Sequence, residues 1–106
     1  MKRGILFKVK TSKSIQEFIE SFKKNAPQFN FGVRYVFDMK KEYKEHNVNV
    51  DEDFEFYQIV LCNFDKSYKT MMRNIETAAV LLQPKQLVVC NNKGETTVYY
   101  LPFSKE

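Results

Sequence analysis

The sequence predicts an α/β fold of the α+β kind: a two-layer sandwich in which one five-stranded mixed sheet carries two main helices on one face. Two observations predict it. Segments that alternate in polarity are separated by two segments whose apolar residues recur at helical spacing. The elements also follow the order β-α-β-(α)-β-α-β-β, which favours helices packed on a sheet. The length of 106 residues fits a single domain, residues 1–106.

The first strand and the first helix lie near the N-terminus. The stretch "GILFKVK" alternates apolar and basic residues, as a strand with one buried face does. Ser14 and Glu17 then stand in the S-x-x-E spacing of a capping box, in which each side chain accepts a hydrogen bond from the other residue's backbone N–H. Four apolar residues follow at i, i+3, i+4 and i+7, and they form one helical stripe: Ile15, Phe18, Ile19 and Phe22.

The middle of the chain predicts two more strands. In "FNFGVRYVFDM" the apolar residues alternate, and strict alternation would put these five on one face: Phe31, Val33, Tyr35, Phe37 and Met39. Residues 39–53 predict a helical turn and then a loop. The stretch "FEFYQIVLC", residues 54–62, is apolar on both faces, which indicates that both faces of the sheet are covered.

The remainder predicts a second helix and a hairpin. Asp65 is positioned to cap this helix, which closes at Pro84. Its apolar stripe consists of Tyr68, Met71, Met72 and Ile75, continuing to Ala79. "QLVVC" and "TTVYYL" predict the last two strands, and "NNKG" between them supplies Gly94 and two Asn residues, which tolerate the positive φ of a tight hairpin turn.

The second face of the sheet needs a cover of its own. Each predicted helix has only one apolar stripe, so each can cover the sheet from one side only. An apolar sheet face left open to water would be a liability, and face-to-face association of two copies would cover it. The sequence therefore predicts a homodimer.

The charge and the absence of targeting signals narrow the class of protein. Residues 1–46 hold eleven Lys and Arg against five Asp and Glu, which gives +6, and residues 47–106 hold six against eight, which gives −2. The basic residues alternate with acids, as they do on a solvated surface. Because Tyr35 and Phe37 are predicted on the core side, the sequence argues against nucleic-acid binding.

The apolar runs are too short for a secretory signal or a membrane span, so we expect a cytoplasmic protein with reduced thiols.

Cys62 and Cys90 end two similar apolar runs, "IVLCNF" and "LVVCNN". A strand–helix–strand crossover would make these strands parallel and place both thiols at one edge of the sheet. The two backbones would be roughly 4.8 Å apart on neighbouring strands, or about twice that if another strand lies between. The helix that follows Cys62 favours its thiolate, whereas Asp65 opposes it. Buried packing is the favoured role for both residues, and thiol chemistry at Cys62 is the alternative.

Other chemical sites find little support in the sequence. The only histidine, His46, lies near Glu42 and Glu45, which would suit a metal or acid-base site, but a solvated loop histidine explains it better. The acidic run from Asp51 to Asp53 lacks the alternating ligands and central glycine of a calcium loop. We therefore expect no metal and no cofactor.

Two long stretches of the chain resemble the domain of unknown function 302 family: "FGVRYVFDMKKEYKEHNVNVDEDFEFYQIVLCNF" and "LLQPKQLVVCNNKGETTVYYLP". The residues at matching places are Ser14, Phe31, Gly32, Val33, Cys62, Asn63, Leu82, Pro84, Gly94 and Pro102. The sequence departs from that family at Phe64 and Lys85, where Pro and Cys are common, and it inserts Gln83 before Pro84. The resemblance implies a small α/β dimer without an established activity.

These observations together predict a non-catalytic homodimer that binds a small molecule or another protein. The expected binding cleft lies where the central strand ends meet the helix N-termini, near Cys62, Asn63 and Asn91. The alternative is a thiol-dependent redox or sulfur-transfer protein that uses Cys62.

Overall fold

The computed structural model describes residues 7–81 and 85–100. Within these residues the strands are β1 (Phe7–Thr11), β2 (Gly32–Asp38), β3 (Phe56–Cys62), β4 (Lys85–Asn92) and β5 (Glu95–Tyr100). The helices are α1 (Ile15–Asn25), α2 (Met39–Glu45), α3 (Phe64–Arg73) and α4 (Ile75–Leu81), and a 3₁₀ helix (Ala26–Phe29) follows α1. The α/β class and the alternation of strands and helices are as predicted, except that the second main helix is divided into α3 and α4. None of the described helices has the length and apolar character that crossing a bilayer requires.

The strands form one sheet in the order β1-β5-β4-β3-β2, and every neighbouring pair is antiparallel. The predicted mixed sheet, with β3 parallel to β4, is therefore wrong. The physical reason is the path between these two strands. The chain leaves the sheet where β3 ends and comes back at that same end to begin β4, so the helical segment is an excursion rather than a crossover.

Helix α1 begins as the sequence predicts. The Ser14 side chain accepts a hydrogen bond from the backbone N–H of Glu17 at 3.2 Å, and the Glu17 carboxylate accepts one from the backbone N–H of Ser14 at 3.2 Å. The hydrogen bond from the backbone N–H of Ser14 stabilises the charged carboxylate and is the main cause that lowers the pKa of Glu17. The capping box is confirmed.

The hydrophobic core lies between α1 and one face of the sheet. Its buried members are Ile15, Ile19, Ile59, Leu61, Leu87, Val89 and Val98. Both helical members come from α1, and α3 contributes no buried residue. The prediction that two main helices cover one face therefore holds for α1, whereas α3 leaves its apolar side chains exposed.

Strand β2 carries an irregularity that changes which side chains face the core. Its register with β3 shifts between Val33 and Tyr35. One extra residue reverses the alternation of side chains beyond it. Val33 and Val36 accordingly pack against the core, and Tyr35 and Phe37 lie on the opposite face. The prediction of a single apolar face through this strand is wrong.

The second predicted helix is capped and divided differently from the prediction. The side-chain oxygen of Asn63 accepts the backbone N–H of Lys66 at 3.0 Å, so Asn63 is the N-cap. Asp65 instead lies in the first turn and forms an ion pair with Lys69 at 3.0 Å. The helix breaks at Asn74, whose side chain accepts the N–H of Thr77 and so begins α4. The predicted end at Pro84 lies outside the described residues.

The hairpin and the short middle helix agree with the sequence. Asn92 pairs with Glu95, and the two residues between them, Lys93 and Gly94, both have positive φ (54° and 85°). This is the conformation that two-residue hairpins with right-handed strand twist prefer. Residues Met39–Glu45 form the predicted helical turn, capped by Asp38.

Candidate functional site

Cys62 and Asn63 lie at the junction of β3 and α3. Cys62 is the last residue of β3 and pairs with Gly32 of β2. The side chain of Asn63 is engaged as the N-cap of α3. The ring of Phe64 packs over Gly32, and a methyl group at position 32 would lie only 2.5 Å from its Cε2 atom. At this junction Gly32 makes room for the ring of Phe64, a residue that stays 56% exposed.

Cys90 and Asn91 lie at the opposite end of the sheet. Cys90 pairs with Phe56 and with Thr97. The side-chain oxygen of Asn91 accepts the backbone N–H of Gly94 at 2.9 Å, and the backbone N–H of Asn91 donates to the carbonyl of Glu55 at 3.0 Å. Asn91 thus shapes the hairpin and ties it to the loop that precedes β3.

The predicted cleft near Cys62, Asn63 and Asn91 does not form within one protomer. Cys90 is opposite Phe56, which is six residues from Cys62 along β3, so the two cysteines are about 20 Å apart at roughly 3.4 Å per residue. That distance exceeds the roughly 7 Å limit for a disulfide, and both thiols are free. The prediction that they share one edge fails because it assumed parallel strands.

The environment of Cys90 makes its thiol harder to ionise. Burial raises the pKa of Cys90, and the positive charge of Lys8 offsets only part of this effect. A smaller thiolate fraction near neutral pH means a weaker nucleophile. This agrees with a packing role for Cys90.

We expect Cys90 to react slowly with alkylating reagents in the folded protein. In a Cys62→Ser variant, the iodoacetamide rate at pH 8 should be several-fold below that of the same variant in denaturant. The rate for the folded protein should still rise with pH in the range where the rate for a free thiol, with a pKa of about 8.5, has levelled off. A rate that levels off at or below the free-thiol pKa would contradict the partial burial of Cys90. The matching Cys90→Ser variant reports Cys62, and fast labelling near neutral pH would support the thiol alternative.

The residues around His46 do not assemble a metal site. His46 ends α2, where its backbone N–H donates to the carbonyls of Glu42 and Tyr43 at 3.2 and 3.1 Å. One carboxylate oxygen of Glu42 is buried without a hydrogen-bond partner. Within residues 7–81 and 85–100, no group of three His, Cys, Asp or Glu side chains converges as ligands.

A shallow hollow of about 510 Å³ lies along α2. Its lining consists of Asp38, Lys40, Lys41, Lys44 and Glu45. The ammonium group of Lys40 donates a hydrogen bond to the backbone carbonyl of Glu52. Because the lining charges nearly balance, the hollow does not select a ligand of either sign.

The face of the sheet opposite α1 presents aromatic rings to solvent. We call it the open face, and it carries Tyr35, Phe37, Gln58, Val60 and Val88. The rings of Tyr35 and Phe37 stack with centroids 5.5 Å apart, and 59% of Tyr35 and 37% of Phe37 are exposed. The sequence predicts these two rings on the core side, and because they lie on the opposite face their position no longer speaks against nucleic-acid binding.

Cations lie at the other margin of the open face, on β1. The Lys8 ammonium is 5.8 Å from the centre of the Tyr99 ring, and Lys10 forms an ion pair with Glu95 at 3.1 Å. The exposed aromatic surface on β2 is thus separated from the basic margin on β1 by three strands, β3, β4 and β5. The aromatic part of the open face is the strongest candidate site that the described residues provide.

Helices α3 and α4, which we call the arm, carry a second exposed apolar surface. Tyr68, Met71 and Met72 lie on one side of α3 by their helical spacing, and Ile75 follows at the start of α4. These four residues, the arm stripe, are 40% to 65% exposed. The sequence predicted the stripe correctly but assigned it to the core of the protomer.

Comparisons with known proteins agree with this architecture. The family model described as domain of unknown function DUF302 matches residues 7–105. A similar fold, with a TM-score of 0.71, occurs in the crystal structure of an uncharacterized conserved DUF302 protein from Bacillus stearothermophilus. The sequences are 21% identical, and the match covers 90% of this chain and 71% of that one, so the likeness shows the fold alone. None of the curated proteins matches the chain.

Proposed function

The chain belongs to the DUF302 family, and from that premise we propose that it is a non-catalytic homodimeric binding module whose open face binds a second copy. The observation that carries the proposal is the pair of stacked, exposed rings of Tyr35 and Phe37 on a sheet face opposite the one that α1 covers. Clustered apolar surface of this kind marks a site of association in soluble proteins.

A protein surface suits the open face better than a small molecule does. Small-molecule sites are concave and bury most of the ligand, whereas Tyr35 and Phe37 project from a sheet. Aromatic side chains such as these are enriched in protein interfaces because they bury large areas with little loss of conformational entropy. The proposed partner is therefore a second copy of the chain, and a binding site for a further ligand would form at the junction of the two copies.

The experiment is a measurement of molar mass by sedimentation equilibrium over a wide range of concentrations. We expect the wild type to show twice the chain mass of 12.6 kDa. The double variant Tyr35→Lys, Phe37→Lys should weaken the dimer at least about tenfold, because each copy then places two desolvated charges at the interface. The control Phe29→Lys changes a side chain that is also exposed but lies in the 3₁₀ helix, and its dimer should be unaffected.

A wild type that sediments as one chain would overturn the proposal. The same protein should then be titrated with a single-stranded oligonucleotide, because exposed sheet aromatics with basic residues nearby can stack on bases. Binding that is lost in the Tyr35, Phe37 variant would assign the open face to nucleic acid instead.

A further inference from the structure

We infer that the arm of each protomer docks on the open face of the other, so that the dimer is held by a reciprocal exchange of arms. This inference rests on the proposed homodimer and specifies its geometry. It joins two surfaces that one protomer leaves exposed, the open face and the arm stripe, and it names one occupant for both: a second copy.

The arm stripe continues the apolar surface of the open face. Phe64 lies one helical repeat before Tyr68 and therefore on the same side of α3. Its ring packs over Gly32. Gly32 precedes Val33, which faces α1, so by alternation Gly32 belongs to the open face. The arm stripe therefore faces the same side of the sheet as the open face, and it lies beyond the end of β3.

The connection to the sheet keeps the arm from folding back on its own strands. Only Asn63 separates the end of β3 from the start of α3, and connections between a strand and a helix that packs on it usually take about 2–6 residues. Asn63 is itself fixed as the cap of α3. As a result, the four residues of the arm stripe stay 40% to 65% exposed in the protomer.

The exposed area is sufficient for a stable dimer. At roughly 200 Å² for a large side chain, the exposed fractions of the arm stripe, Tyr35 and Phe37 amount to on the order of 650 Å² of mainly apolar surface per protomer. A standard interface buries about 800 Å² per partner, of which about 56–65% is apolar. One protomer therefore supplies the apolar surface that its half of such an interface needs.

Symmetry favours a second copy over an unrelated partner. A two-fold axis that places one arm on the partner's open face also places the partner's arm on the first open face, so both exposed surfaces are covered and the assembly closes. The arm stripe is uncharged, whereas a groove that follows a nucleic-acid backbone interleaves cations with its aromatic residues. The stripe therefore suits a protein surface.

The test combines an arm variant with a photo-cross-link in the full chain. In the variant Tyr68→Lys, Met72→Lys, we expect the dissociation constant of the dimer to rise at least about tenfold, as it does when a central interface residue is lost. The circular dichroism spectrum should stay unchanged, because both side chains are exposed. The control Phe29→Lys should leave the dimer intact. A benzoylphenylalanine at position 68 should cross-link to a peptide of β2 or β3 from the other copy, identified in dimers mixed from ¹⁴N and ¹⁵N chains.

The outcomes separate this inference from the proposed function. A dimer that is weakened by Tyr35→Lys, Phe37→Lys but not by the arm variant would overturn the exchange of arms and leave the homodimer standing. Cross-links that form only within one chain would overturn it too. A monomeric wild type would overturn both.

Discussion

Replacing Ile59 by alanine is expected to lower the free energy of unfolding by about 2–5 kcal/mol, the range for truncating a buried isoleucine. Ile59 is fully buried (0% exposed) in β3, where it pairs with Val36 of β2 and Leu87 of β4. The alanine would leave a cavity that strands on both sides prevent from collapsing. For a domain of this size the thermal midpoint should fall by about 10–30 °C.

The measurement is urea unfolding followed by circular dichroism, at one fixed chain concentration because the stability of the proposed dimer would depend on it. The denaturation midpoint should fall while the m-value stays the same, since the surface exposed on unfolding hardly changes. Val48→Ala is the control, because Val48 lies exposed in the loop after α2, where truncation should change the free energy by no more than about 0.5 kcal/mol. An equal loss in the two variants would contradict the central position of Ile59.

Replacing Ile19 by alanine is the second change with a large expected effect, again about 2–5 kcal/mol. Ile19 is 4% exposed and belongs to α1, which supplies the two helical residues of the main buried cluster. Its loss should loosen α1 from the sheet. Hydrogen exchange should therefore quicken across α1 by a larger factor than across β3 and β4, in contrast to Ile59→Ala, which should affect the strands as strongly as the helix.

The control for this helix is Glu20→Ala, at the neighbouring exposed position. Alanine favours helix slightly more than glutamate does, so this variant should be as stable as the wild type or slightly more so. If Ile19→Ala does not fold, Ile19→Val removes a single methylene group and should cost about 0.5–1.5 kcal/mol. Equal protection of α1 in the wild type and in either Ile19 variant would show that Ile19 does not anchor the helix.

Local features were predictable because their causes lie within a few residues. Ser14 and Glu17 form the capping box within one helical turn. Lys93 and Gly94 adopt positive φ in a two-residue turn where the sequence supplies a glycine and flanking Asn residues. Asn63 could have been identified as the cap of α3, because it stands three residues before Lys66 as a good N-cap residue, but Asp65 offered a competing signal of the same kind.

The direction of β4 relative to β3 could not be read from the residues. A helix between two strands is compatible with a crossover, which makes them parallel, or with an excursion, which makes them antiparallel. The choice depends on whether the helical segment packs across the sheet, and the apolar side chains of α3 stay exposed instead. The predicted neighbourhood of Cys62 and Asn91 failed for this reason, because the two residues are at opposite ends of the sheet.

The sequence by itself determined the α/β class, the element order, the helix stripes and the hairpin, because each follows from periodicity or from backbone preferences over a short span. Only the tertiary structure decided the antiparallel sheet and the position of the rings of Tyr35 and Phe37. An irregularity at Arg34 reverses the alternation of side chains in β2, and a shift of one residue leaves local propensity almost unchanged. Packing against β3 and α1 selects the register, and these partners are distant in sequence.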